Sequence, residues 1–439
     1  MRKYIALIAA TSFIVGSILS GASAATTTAP KVGSTCKKVG AFIGTPTTRY
    51  VCNQEGKKKV WRVWINKSAS GSETPAPKKS ATAVPKKVAF KARIPITLPI
   101  AQSTDANAIT FENITTRISD IPKTAWQRTQ DVIASNNDAA VKHDIYIGPN
   151  TQLTTTGGIA RIDEILEKGA RLWSGFTLTK YFSLVYYNLT DLKWAEEKTK
   201  EIWKTKKYEP NSIGSALNAL KISCQAWVSP GKGGAQLSYC AGADAGAVTN
   251  SDDSAGRFAV GDIERSDASG SILAHEFTHT VQASQWIGNA DCKNEGNNCF
   301  RSGLVHSFSP CWIHEGLPNG TNTMIANSDY SSYLAQRSTR RDTSQTVTDY
   351  SAASLRTYLY DQSPKTCYQN GALYQLGYDV GARAIEALVA IGGPQATMAL
   401  FALGAEGQDF ATAFKNVYGI SWSEGSTILS KVLAAQYVS

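Results

Sequence analysis

Two histidines four residues apart, with a glutamate directly after the first, restrict the local fold more than any other feature of this chain. Residues 271–282 read SILAHEFTHTVQ, and two of the chain's five histidines, His275 and His279, fall in one stretch of helical spacing. On an α-helix positions i and i+4 lie on one face a turn apart, so both imidazoles can turn to one metal ion. Glu276 stands about 100° round the helix, within reach of the ion's neighbourhood without being a ligand. Ile272, Leu273, Phe277 and Val281 supply apolar surface to bury the helix, and Ser269-Gly270-Ser271 supplies residues suited to its start. The competing reading is a helix with two imidazoles satisfied by neighbours.

A third ligand separates the possibilities. A metzincin continuation needs Gly at 282 and His at 285, and both positions are Gln. No clear G-T-x-x-D segment offers an aspartate ligand. Thirty-six residues beyond His279 the chain reads CWIHEGLPNGTNT. With Trp312, Glu315 and Gly316 as W-x-x-E-G, the chain resembles the gluzincin zinc metallopeptidases. The resemblance implies Zn2+ held by His275, His279 and Glu315, with water in an open fourth position, as catalytic zinc requires. It implies Glu276 as general base in hydrolysing peptide bonds of a peptide or protein substrate. Asn319 stands where such enzymes often carry an aspartate that orients a zinc histidine; its amide oxygen can accept the same N–H without the charge. An oxyanion donor is expected from a tyrosine in Y-x-x-G. Tyr378, followed by Gly381 and a helix ending at Gly392-Gly393, fits best; Tyr374 and Tyr368 are alternatives, as is His306. His314 is read as structural. Near the place of the amine-binding glutamate of related aminopeptidases the chain reads GAVTN, with Thr249 in that position, which favours internal cleavage. An extended substrate is expected to pair along a strand at 256–263.

The N-terminal region reads differently. Arg2 and Lys3, an apolar run to about Leu19 and Ala22-Ser23-Ala24 make residues 1–24 an expected signal peptide, so export is expected. No later stretch is apolar for long enough to span a bilayer. Eight cysteines in an exported chain favour disulfides, with neighbours suggesting Cys36 with Cys52, Cys224 with Cys240, Cys292 with Cys299, and Cys311 with Cys367. The last would pin the Glu315 helix to the tyrosine-bearing segment. Residues 25–67 form a small basic module with a cysteine pair and strands at Tyr50-Val51 and 60–64; this module resembles one that recurs in secreted actinobacterial proteins. The net charge of +10 belongs here: residues 25–95 hold fifteen Lys or Arg against Glu55 and Glu73. Lys37, Lys38 and 57–59 beside Trp61 and Trp64 suit an anionic cell-envelope polymer; the plainer reading is a solvated basic hairpin. No nucleic-acid partner is expected. Residues 68–95, rich in Ser, Ala, Pro and Lys, read as linker.

From 96 to 439 the chain reads as one α+β, zincin-like metallopeptidase domain. Strands are expected at 143–150, 181–188 and 256–263, with a helix opened by Asp191. A mixed sheet carrying the HEFTH helix should precede a mainly helical C-terminal half. The alternative function is an envelope-binding protein whose peptidase-like domain is inactive; a third keeps zinc but acts on a non-peptide amide.

Overall fold

The computed structural model of the chain describes residues 31–63 apart from 32–33, 39–41, 45–48 and 56–57. It describes 89–260 apart from 102–104, 106, 138, 226–227, 231–235, 239 and 241, and then 267–289, 301–338, 349–361 and 371–438. Residues 1–24, expected as a signal peptide, and Lys57, Trp64, Cys292, Cys299, Cys367 and Tyr368 lie outside these residues. Two compact units divide the chain, with the boundary between Lys87 and Val88.

In the small unit three short strands, β1 (Phe42–Gly44), β2 (Arg49–Glu55) and β3 (Lys58–Val63), form an antiparallel meander. Among the described residues Cys52, Val60 and Trp61 are buried, with Cys52 and Trp61 directly opposite one another. The Cys36–Cys52 disulfide staples the meander across a separation of 16 residues. Lys37, Lys38, Lys58 and Lys59 are exposed, whereas Trp61 is in the core and has no face for a polymer to stack on.

The large unit starts earlier than its composition suggests. Residues 89–100, partly read as linker, lie extended on the core with strict alternation: Phe90, Ala92, Ile94, Ile96, Leu98 and Ile100 face the core and their neighbours face water. The Ala92 N–H and the Lys91 ammonium both bond Glu406, and the Ile100 N–H bonds the Val417 carbonyl. The alternation of F-K-A-R-I-P-I-T-L-P-I is the signal for a strand-like strap.

The main sheet is mixed. β4 (Lys142–Ile147), β5 (Tyr181–Tyr187) and β9 (Ser254–Ala259) run parallel, and β8 (Gly242–Ala247) closes one side antiparallel, in the order β4-β5-β9-β8. A hairpin of β6 (Val228–Pro230) and β7 (Gln236–Ser238) precedes β8, and the Cys224–Cys240 disulfide brackets it. Residues in β5 alternate between two cores: Phe182, Leu184 and Tyr186 join the larger, Val185 and Tyr187 the smaller. Strand β9 is central, paired on both edges, so the expectation that it is a docking edge is corrected. The edge beside β9 is β8, whose sequence GADAGA has little strand propensity and carries no strand signal; the opposite edge is β4. GAVTN is the end of β8 and its turn into β9, with the Val248 N–H bonded to the Asp253 carbonyl.

Helices α1 (Ile121–Ser135), α2 (Gly158–Leu172), α3 (Leu192–Thr205) and α4 (Ile213–Gln225) flank the strands. Asp191 precedes α3, but its carboxylate bonds Asn150 and Thr151 instead of capping the helix, which fastens the loop after β4. After α5 (Ser271–Ser284) the described residues are helical throughout: α6 (Arg301–Phe308), α7 (Cys311–Ala326), α8 (Tyr330–Ser338), α9 (Ala352–Arg356), α10 (Gly371–Leu376), α11 (Ala382–Gly392), α12 (Pro394–Ala405), α13 (Phe410–Tyr418) and α14 (Trp422–Val438). A π-helical turn, Gly377–Gly381, joins α10 to α11. No single described helix is long and apolar enough to cross a membrane.

Candidate metal centre

Helix α5 is buried along nearly its whole length. Phe277 anchors it, with its ring 6.2 Å from that of Phe182 and set where Gly169 of α2 has no side chain. Thr278 donates to the Ala274 carbonyl and Ser284 to that of Thr280, whereas Ser271 at the start donates to Asp267 and accepts from Gln336. The start is set by Gly270 at φ +82° and by Asp267, whose carboxylate accepts the N–H groups of Ile272 and Leu273. Gly270 falls within the start expected from the sequence, whereas Asp267 precedes it and carries no local signal for this role.

Helix α7 brings the third donor by a different route. Trp312 is fully buried and stacks on Trp422 of α14 with ring centres 5.6 Å apart. One turn on, Gly316 lies against Gly381 so closely that a Cβ on Gly316 would stand 2.6 Å from the Gly381 carbonyl carbon. A Cβ on Gly381 would collide with the Trp312 carbonyl oxygen. This glycine contact joins α7 to the tyrosine-bearing turn. Cys311 is also disulfide-bonded, but the expected bridge to Cys367 and the Cys292 with Cys299 pair involve residues outside those described.

Together the two helices converge three donors. His275 Nε2 and His279 Nε2 are 3.1 Å apart, and Glu315 Oε2 is 3.2 Å from the His279 nitrogen and 3.5 Å from the His275 nitrogen. A tetrahedral ion with bonds of about 2.0–2.1 Å needs its ligand atoms about 3.3 Å apart. The separations fit one face of such a tetrahedron. Among the described residues this is the group of His, Cys, Asp and Glu able to hold a metal. Two imidazoles and a carboxylate suit zinc and also other first-row divalent ions.

The other Glu315 oxygen, Oε1, accepts from the Tyr374 hydroxyl and lies 3.2 Å from His314 Nδ1. Tyr378 stacks on His275, with rings 5.7 Å apart and nearly parallel, and its hydroxyl is 3.4 Å from that of Tyr374. His306 packs its ring on His314, 4.4 Å between centres, one ring removed from His279. Asn319 donates to the Tyr378 carbonyl and accepts from Asn322. The amide oxygen that meets one of the two histidines of this group is that of Gln282, 2.9 Å from His279 Nδ1.

Glu276 is buried beside the triad, and its Oε2 accepts the Ala245 N–H of the edge strand at 2.8 Å. Burial pushes its carboxyl up to about 8, with Asp244 and Glu315 adding to the rise. Burial acts in the same sense on Glu315, which is only 1% exposed, but His279, His275 and His314 outweigh it and hold that carboxyl well below the usual range. For His279 burial lowers the ring's value, yet Glu315 and Glu276 raise it to about 9. Without a metal the cluster is a carboxylate facing an imidazolium, and a divalent ion held by these donors would have to displace that proton.

No family model matches the chain, and no curated protein and no solved structure is significantly similar to it.

Proposed function

We propose that the chain is an exported zinc-dependent peptidase of gluzincin type. The observation that carries the reading is the convergence of His275, His279 and Glu315 from two helices at 3.1–3.5 Å, with a buried carboxyl, Glu276, alongside. A zinc ion held by these three residues supplies a Lewis acid for the scissile carbonyl and lowers the pKa of water. Glu276, buried beside the three donors, takes a proton from the attacking water and returns it to the departing amine nitrogen. Tyr374 is engaged with Glu315, so among the described tyrosines Tyr378 is assigned as the donor to the developing oxyanion. Its stacking on His275 supports that role.

An extended substrate docks along β8. Because the Ala245 N–H faces Glu276 and not β9, the two-residue period turns the backbone groups of Ala243 and Ala247 to the same open side. Internal cleavage is preferred, since Thr249 carries no charge to hold a free amine. In the small unit, Lys37, Lys38, Lys58 and Lys59 form the surface assigned to an anionic envelope polymer, acting by charge alone.

Glu276→Gln tests the assignment: hydrolysis of a peptide library should be lost while one zinc per chain remains. Hydrolysis at the wild-type rate would refute the role of Glu276. Tyr378→Phe should lower kcat about 100-fold or more with little change in KM.

A further inference from the structure

We infer that Gln282, held by the His314 carbonyl whose i+4 position is Pro318, fixes the tautomer and orientation of His279 for ion binding. The inference rests on the metal-site reading above. Pro318 lies inside α7 and has no N–H, so the carbonyl four residues earlier, that of His314, lacks the i+4 donor that an α-helix otherwise supplies. The buried Gln282 supplies a donor from α5, its Nε2 hydrogen-bonding the His314 carbonyl at 3.0 Å.

The consequence is a chain of forced choices. A carbonyl only accepts, so the amide must present its nitrogen to His314 and its oxygen to His279 Nδ1, 2.9 Å away. An amide oxygen only accepts too, so His279 must carry its hydrogen on Nδ1. The neutral ring's lone pair is then on Nε2, the atom that faces His275 and Glu315. One amide thereby spans from a ligand on α5 to the residue next to the ligand on α7, setting both the ring and the spacing of the two helices. Any polar group at 282 could touch His279, but only an amide matches an acceptor on one side and a donor on the other. Gln282 is a positioning residue, and Pro318 is what gives it a partner.

The test uses the purified full chain and zinc itself as probe, with affinity measured by competition against a chromophoric chelator. Gln282→Met keeps the volume and removes both bonds. Its zinc affinity should fall 10–100-fold, with the thermal midpoint of the metal-free protein close to wild type. Pro318→Ala returns an N–H to the His314 carbonyl, which then competes with Gln282; affinity should fall by a smaller factor. The double variant should bind no more weakly than Gln282→Met alone, since both changes act through one amide. If Gln282→Met does not fold, the loss expected of Pro318→Ala still decides the matter. Unchanged affinity in the folded single variants, or losses that multiply in the double variant, overturns the inference while leaving the metal site intact. A wild-type chain that binds no zinc removable by His275→Ala overturns the metal-site reading, and this inference with it.

Discussion

The two helices that supply the donors are built on opposite principles. Helix α5 is held by side chains: Leu273, Phe277 and Val281 are buried, and the Thr278 and Ser284 hydroxyls bond within the helix. Helix α7 is held at its ligand turn by backbone against backbone, Gly316 on Gly381. Side-chain packing can relax around a lost group, leaving a cavity of partial cost. A backbone contact has no rotamer to change, so an added methyl must push two elements apart. The Glu315 side of the site is therefore the more brittle one.

Gly381→Ala should show the largest effect. We expect a loss of about 4–5 kcal/mol in thermal or denaturant unfolding, the upper end for single substitutions, together with loss of zinc binding. A variant that keeps wild-type stability and metal would remove the distinction. Phe277→Ala should cost about 3–4 kcal/mol by emptying the space between Gly169 and Phe182, but leave the site able to bind at higher zinc concentration. Tyr374→Phe removes the hydroxyl on Glu315 Oε1 and should cost about 1–3 kcal/mol, without the rate loss expected of Tyr378→Phe.

The metal-free protein offers a subtler contrast through pH. Glu276, with a folded value raised from 4.5 to about 8, contributes stability that is complete below about pH 4.5 and lost as pH rises to 8. His279, raised from 6.5 to about 9, loses its contribution between those limits. Stability without metal should thus fall from pH 6.5 to 9, by at most about 1.4 kcal/mol per unit for each group; below 6.5, His306 and His314, whose values burial lowers, act in the opposite sense to Glu276. Glu276→Gln should flatten the lower part of that fall, up to pH 8. Unfolding curves at a series of pH values in a strong chelator check this, and a stability that rises across the window would contradict it.

The same contrast explains what could be read from the sequence. The α5 donors were legible because i and i+4 spacing is a local property, and W-x-x-E-G pointed to Glu315 by resemblance. Gly316 entered only as a letter of that motif. Nothing local announces that it meets Gly381, sixty-five positions on. Strand β8 was missed because glycine and alanine carry no strand preference, although the edge it forms touches Glu276. Gln282 registered only as the residue that closed the metzincin route. Its partner, the His314 carbonyl, becomes available through Pro318 on another helix. The strap at 89–100 is a different case: its alternation was present in the sequence, but lysine and proline made its first part resemble a linker.

Zinc content of the purified mature chain, compared with Glu315→Ala after dialysis against a weak chelator, examines the convergence of the three donors. We predict one zinc per wild-type chain and far less than one in the variant, with both folded by circular dichroism. A wild-type chain without stoichiometric metal, or a Glu315→Ala chain that retains it in full, would contradict the site described here.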